Sequence, residues 1–417
     1  MKTDKVHIVG GGIVGLCAAW YLKQEGCEVT VIDKDDCSDG TSFGNAGMIV
    51  PSHFVPMATP GVIAQGLKWL LNSKSPFYIK PRLNADLIQW LWYFYRSANV
   101  QHVETAMPVL YALNEQSKWL YKAMAAEHGF DFGFEERGLL LLYKTQKQAR
   151  EEEELAEKAH RLGIKAAVFD KKDLKDLEPE MDLEVLGGTY FPGDAHLYPN
   201  QLMVQLTTRL RQLGVSFIPN TAVVDFNIRG SKIEALLTDE GDNLPVDNVV
   251  LASGSWTGLL LKKAGIKIHL QDGKGYSITV EKPKLRPRIP TILSEAKVAI
   301  TPIGDDLRIG GTLELGGLSQ KISHKRVKGI VESMPAYYKN LDIPFTDKTK
   351  IWKGYRPCTP DGIPYIGKSD SLSNLFVGTG HGMVGLSLGP VTGKLLSELM
   401  TQQKPIMAIH PFRLNRF

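Results

Sequence analysis

The sequence is poor in cysteine. Its 417 residues hold four, Cys17, Cys27, Cys37 and Cys358, none in a Cys-x-x-Cys pair, which is too few and too unevenly placed for a disulfide framework and points to a reducing cytoplasm. It lacks any apolar stretch of the ~20 residues that cross a bilayer, so an integral membrane protein is not expected. It lacks a dense Lys/Arg stripe, and its net charge of +4 is small for this length, which argues against nucleic acid as a partner. No internal repeat, low-complexity tract, Ser-His-Asp arrangement or His/Cys/carboxylate cluster with metal-ligand spacing stands out, so no metal is expected. The 43% hydrophobic and 23% charged residues are those of an ordinary globular chain long enough for two domains.

What is present begins at once. His7-Ile8-Val9-Gly10-Gly11-Gly12-Ile13-Val14-Gly15 reads as a strand, a glycine turn and a helix, with Asp33 at the end of a second apolar run. Gly10 serves the tight bend, Gly12 lets backbone approach a pyrophosphate, and Gly15 lets the helix pack on the strand. The pyrophosphate would face free N–H groups at the helix start. Asp33 would accept hydrogen bonds from a ribose, which disfavours a 2′-phosphate and leaves FAD and NAD both open. Lys2 and Lys5 before the apolar stretch Val6 to Leu22 imitate a secretion signal, but the fingerprint inside that stretch marks it as mature structure.

Further along, Asp39 to Ser52 is a Gly/Ser/Thr/Asn-rich loop suited to facing a ligand. Helical periodicity is expected from about Pro60 to His128, a strand within Phe134 to Tyr143, and a helix from Gln146 to Leu162 whose Glu151-Glu152-Glu153-Glu154 run is a solvated face. Leu87 to Tyr95 is the densest aromatic segment; it reads as a buried helix roofing a cavity, with peripheral docking on a membrane surface as the other reading. Val215 to Ser255 reads as short strands ending in Val249-Val250-Leu251-Ala252-Ser253-Gly254-Ser255-Trp256, Lys274 to Leu313 alternates like sheet, and a final helix is expected from about Met383 to Met400.

These pieces together resemble the flavin-dependent D-amino-acid oxidase superfamily, and within it the bacterial D-amino-acid dehydrogenases of the small-subunit type. The resemblance rests on the fingerprint, on Ala252-Ser253-Gly254-Ser255-Trp256, and on Gly354-Tyr355-Arg356-Pro357-Cys358-Thr359-Pro360-Asp361-Gly362-Ile363-Pro364-Tyr365-Ile366-Gly367. Ser42 to Gly47, Pro60-Gly61-Val62, Arg137-Gly138-Leu139, Lys274-Gly275-Tyr276-Ser277 and Arg308 to Thr312 support it. Ala-Ser-Gly replaces the family's Ala-Thr-Gly, and Gly193 to Pro199 departs from the dehydrogenases. The resemblance implies an α/β fold with a discontinuous, Rossmann-like FAD-binding domain (residues 1–80, 148–256 and 350–417) and an α+β substrate domain with a mixed or antiparallel sheet (81–147 and 257–349).

It also implies oxidative deamination of a D-amino acid, with hydride passing from the α-carbon to FAD and electrons going on to a quinone or other carrier. An oxygen-using oxidase of glycine, sarcosine or a cyclic amino acid stays open, as does a catalytically silent FAD-bearing subunit. A cytoplasmic protein is expected, with contact on the inner membrane face and oligomeric state left open. Arg356 matches the family's carboxylate clamp, a role suited to a guanidinium that pairs through two parallel hydrogen bonds. Tyr276 reads as a second carboxylate contact or a pocket wall, and His53 as a group near the flavin face or a loop histidine. Thr41, Ser42, Asn45, Gly47 and Met48 match the family's second flavin loop, and Lys34, Val223, Ala252, Gly254 and Trp256 extend the cofactor set. Gly380, His381, Gly382 and Met383 would bring N–H groups and a positive helix end to the flavin, with a purely structural His381 as the alternative. Cys358 lies off the position of the family's covalent cysteine, so noncovalent FAD is expected.

Overall fold

The computed structural model describes residues 5–38, 40–63, 66, 77–79 and 84–417. Part of the helical expectation between Pro60 and His128 therefore lies outside the described residues. One sheet has six strands in the order Tyr365–Lys368, Leu375–Thr379, Asn248–Leu251, Lys5–Val9, Glu28–Ile32 and Ser216–Ile218. All neighbours are parallel except the Tyr365–Lys368 edge. Parallel strands covered on both faces need continuous apolar sequence, and Val6, Ile8, Val29, Val31 and Val249 to Leu251 are all at most 1% exposed. The Ile13–Gln24 helix returns across this sheet, and the last helix, Gly389–Met400, packs on it so closely that a Cβ on Gly393 would stand 2.4 Å from the Cys17 carbonyl carbon.

The second sheet has nine strands, ordered Ile351–Cys358, Gln271–Val280, Asp306–Leu315, Val298–Ile303, Thr291–Leu293, Leu139–Tyr143, Gly187–Phe191 and Ala167–Asp170, with Phe77–Ile79 paired beside Asp306–Leu315. It is mixed: the pairs Thr291–Leu293 with Leu139–Tyr143 and Asp306–Leu315 with Phe77–Ile79 are parallel, the rest antiparallel. Alternation sends Leu140, Leu142, Ile278 and Ile309 to a core shared with the His324–Ser333 helix, and Leu139 and Leu141 to one shared with Met48, Val50 and Phe54. The α/β architecture, with one sheet parallel but for its edge strand and one mixed sheet, is the expected one. The strands at 167–170, 187–191 and 351–358 join this sheet from across the boundaries expected at 148 and 350.

Four local expectations are corrected. Phe77–Ile79 is a strand, held by its pairing with Leu313 to Leu315. The helix after Tyr143 spans Gln146–Arg161, but Glu152 is buried: its turn faces the sheet with Ala149, Ala156 and Ala159, and its Oε1 accepts from Ser294 Oγ at 2.8 Å. The aromatic helix Ala85–Ser97 does line a cavity, through Trp90, Leu91, Phe94 and Tyr95, but it is only half-buried: Leu87 and Trp90 are buried while Trp92 and Tyr95 stand 57% and 63% exposed. The final helix starts at Gly389, because a separate 3-10 turn, Gly382–Val384, precedes it. Among the described residues no helix is long and apolar enough to cross a membrane, and no group of three or more His, Cys, Asp or Glu could hold a metal.

Candidate functional site

The end of the first strand shows why glycine is needed there. Gly10 has φ +113°, and a Cβ on it would lie 2.5 Å from the Ala252 carbonyl oxygen; one on Gly15 would lie 1.9 Å from the Gly10 carbonyl. Two strand ends, at Val9 and Leu251, therefore meet the helix start without side chains between them. Gly12 offers that helix no side-chain cap, and Ser42 Oγ, from the next loop, accepts from Ile13 N at 3.0 Å. Asp33 accepts from Gly11 N at 2.6 Å and Asp35 N at 2.9 Å; burial raises its carboxyl pKa while the two N–H donors pull it down.

A cavity of about 1950 Å³ runs from this turn to the nine-stranded sheet. Gly10, Gly12, Ile13, Val14, Asp33 and Lys34 line it at one end, with Val223, Ala252, Gly254 and Trp256. Thr41, Ser42, Asn45, Met48 and His53 line its side, His381, Gly382 and Met383 another wall, and Tyr276 and Arg356 the far end. Gly15, Gly47 and Gly380 do not reach it. They sit behind, where a Cβ would strike Gly10, Leu197 and Thr359 respectively. The size is about twice the ~1,000 Å³ upper end for one drug-sized ligand, enough for a dinucleotide and a second small molecule. The acceptor at Asp33, the side-chain-free turn and the open helix start fit a dinucleotide.

The loop at Thr41 to Met48 is held by Arg308, which the sequence placed in a supporting motif but gave no site role. Arg308 Nη1 donates to the carbonyls of Phe43 at 3.1 Å and Asn45 at 2.9 Å, Nη2 to Asn200 Oδ1 at 2.9 Å, and Nε to Thr279 Oγ1 at 2.8 Å. Burial lowers its pKa to about 10. Ser277 Oγ adds a bond to Gly44 O at 2.8 Å, and the Trp352 ring lies where a Gly44 Cβ would be. The available signal was a charged residue inside an alternating strand.

At the far end Arg356 lines the cavity, whereas Arg308, without a carboxylate partner among the described residues, spends its donors on the loop, Asn200 and Thr279. Arg326 and Lys274 share Glu314 at 2.7 and 3.5 Å, and Arg416 holds Asp361 at 2.7 Å. Among the described residues no carboxylate pairs with Arg356, whose pKa burial lowers; its Nη1 donates to the Thr312 carbonyl at 2.5 Å. Tyr276, the expected second contact, turns its hydroxyl away: it meets Glu314 Oε2 at 3.3 Å and accepts from Ser323 N at 3.1 Å, so only the ring serves as wall. Burial pushes its pKa to about 12.

The two histidines differ from expectation in their surroundings. His53 is half-buried, with Nδ1 3.4 Å from Ser52 Oγ, and burial lowers its pKa to about 4. Ser52 is held in turn by buried Asp194, which accepts from Ser52 N at 3.0 Å and from its hydroxyl. His381 Nε2 meets Thr392 Oγ1 at 2.8 Å on the last helix, and burial lowers its pKa to about 3. Because that helix begins at Gly389, Gly380 to Met383 do not form its N-terminus. Cys358 packs with Trp90, Leu313 and Leu315, its thiol pushed up to about 12 by burial.

The family model described as FAD dependent oxidoreductase (DAO) matches residues 5–399. A D-amino acid dehydrogenase of Helicobacter pylori is 33% identical over 405 residues, covering 96% of this chain and 95% of that one. One from Vibrio vulnificus is 32% identical over 413 residues, covering 96% of each. In fold, the chain is similar to glycine oxidase from Geobacillus kaustophilus (TM-score 0.79, 23% identity, 100% of each chain covered). It is likewise similar to L-proline dehydrogenase from P. horikoshii (TM-score 0.76, 21% identity, 100% and 98% covered).

Proposed function

The chain belongs to the DAO family of FAD-dependent oxidoreductases, and from that premise we propose that it oxidises the carbon–nitrogen bond of a D-amino acid to an imine, which water hydrolyses to the oxo acid. FAD, when bound, supplies the two-electron acceptor. The observation that carries the reading is Arg356: a guanidinium on the wall of the cavity, without a carboxylate of its own, is suited to the carboxylate of a substrate. Its bond to the Thr312 carbonyl fixes its plane, so the substrate would be oriented as well as held. His53, neutral at physiological pH with its pKa near 4, can accept a hydrogen bond from an amine.

For the cofactor we assign Gly10, Gly12 and the helix start at Ile13 and Val14 to the pyrophosphate, Asp33 to a ribose, and the Arg308-held loop to the flavin side. We take the six-stranded sheet as the cofactor half and the nine-stranded sheet as the substrate half. The relatives' shared name, D-amino acid dehydrogenase, supports a dehydrogenase, and we propose further that its electrons pass to a quinone or other carrier on the cytoplasmic side. The test is anaerobic mixing of the yellow holoenzyme with D- and L-amino acids, glycine, sarcosine and both prolines. Bleaching by D-amino acids is expected, with slow return of colour in air; bleaching only by L-enantiomers, or by none, would overturn the assignment.

A further inference from the structure

The residue beneath Arg356 is unusual for its type. Thr312 has φ +65°, a left-handed conformation that a β-branched side chain rarely adopts, inside the strand Asp306–Leu315. The register shows the cause. Lys274 faces Glu314 and Tyr276 faces Gly311, so Thr312 and Leu313 together oppose the single residue Gly275, a bulge. The bulge turns the Thr312 carbonyl to Arg356 Nη1. It also leaves the Thr312 hydroxyl buried, with no hydrogen-bond partner among the described residues, on a residue that lines the cavity.

A strained backbone and an unmet buried hydroxyl both weigh against the folded state, and both meet at the residue whose carbonyl accepts from the unpaired guanidinium. Glycine or asparagine would relieve the first, and valine the second. Tyr276, the other hydroxyl of this wall, is engaged with Glu314 and Ser323. We propose that Thr312 is a second carboxylate-binding residue: its hydroxyl donates to the substrate carboxylate that Arg356 pairs with, while its carbonyl holds the guanidinium in place. This rests on the amino-acid reading above. It adds to that reading a clamp of two residues, one charged and one neutral, built on a single bulge.

The test uses holoenzyme and propionate, a carboxylate with no amine, followed by the flavin absorbance change and by thermal stabilisation. Thr312→Val should weaken propionate binding about tenfold, the value of a hydrogen bond to a charged group, while Thr312→Ser stays within about twofold of wild type. Thr312→Gly should raise the melting temperature, since left-handed strain is released, and yet bind propionate as poorly as the valine variant. Valine and glycine variants that bind propionate like wild type would overturn the proposal, and so would a glycine variant that is less stable, which marks a purely structural residue. Arg356→Met separates the two levels. If it abolishes binding while the Thr312 variants do nothing, the clamp at Thr312 fails and the amino-acid reading stands; if wild type does not bind propionate, or binds it unchanged in Arg356→Met, both fall.

Discussion

The Cβ that Gly275 lacks would stand 2.5 Å from Nη2 of Arg356 and 2.6 Å from its Cζ. The guanidinium thus lies flat on a neighbouring strand's backbone, in space that any other residue would occupy. Gly275→Ala should displace it without touching the cofactor turn. The expected result is a rise of about tenfold or more in KM for a carboxylate-bearing substrate, with FAD content unchanged, read from steady-state kinetics and the flavin absorbance of purified protein. An unchanged KM would sink the idea that this opening sets the arginine's place.

Arg308 ties three backbone or side-chain acceptors from the 43–45 loop and Asn200 to a strand residue. Arg308→Met keeps much of the volume and removes every donor, leaving buried carbonyls unmet at about 1–3 kcal/mol each. Purified variant should carry markedly less FAD than wild type and lose the rest on dilution. Full FAD occupancy after extensive dialysis would contradict the role given to this loop.

His381 predicts a falling stability in acid. Its folded pKa, about 3, lies below the ordinary 6.5 because burial opposes the charge. Between those values the unfolded chain takes up a proton that the folded one refuses, so stability is fully present above about pH 6.5 and is lost as pH drops toward 3. His381→Asn should be less stable than wild type at neutral pH through lost packing, but its urea midpoint should decline less steeply over that window. Equal slopes for the two proteins would refute the assignment.

Asp194 predicts the opposite trend. Burial lifts its carboxyl from 3.8 to about 7, against hydrogen bonds from Ser52 and the attraction of Lys118, with Glu115 adding to the rise. Here the folded state keeps a proton that the unfolded chain has released, so stability falls as pH climbs from about 4 to about 7. Asp194→Asn preserves the shape and one of the two acceptors and, like the protonated acid, carries no charge. It should flatten that decline and gain on wild type at neutral pH, as judged by melting temperature across the range; a variant that tracks wild type at every pH would be decisive against it.

The N-terminal unit was readable because its information is local: strand, glycines, helix and Asp33 lie within one stretch, and each residue type answers a steric or hydrogen-bonding need nearby. Arg356 stood out by its company in Gly354 to Gly367, and the structure puts it on the cavity wall. Thr312 was not, because threonine favours strands and its left-handed turn is forced by Gly275 on another strand. Glu152 read as solvated because a run of four glutamates hides which one faces inward, and its partner Ser294 is 142 residues away. Tyr276 was placed on the right wall, but the direction of its hydroxyl depends on Glu314 and Ser323, which no periodicity reveals.

The packing of Gly393 against Cys17 and the pairing of Lys5–Val9 with Asn248–Leu251 bear on how the protein comes into being. A ribosome adding ~5–20 residues per second completes the Gly10 to Gly15 turn well before Ala252, its facing wall, exists, and later still the Gly389–Met400 helix that closes over it. The site that is first in the chain is therefore among the last to be finished. A chain halted before residue 389 would carry the dinucleotide fingerprint intact yet lack the helix that packs on it, and is expected to hold no flavin.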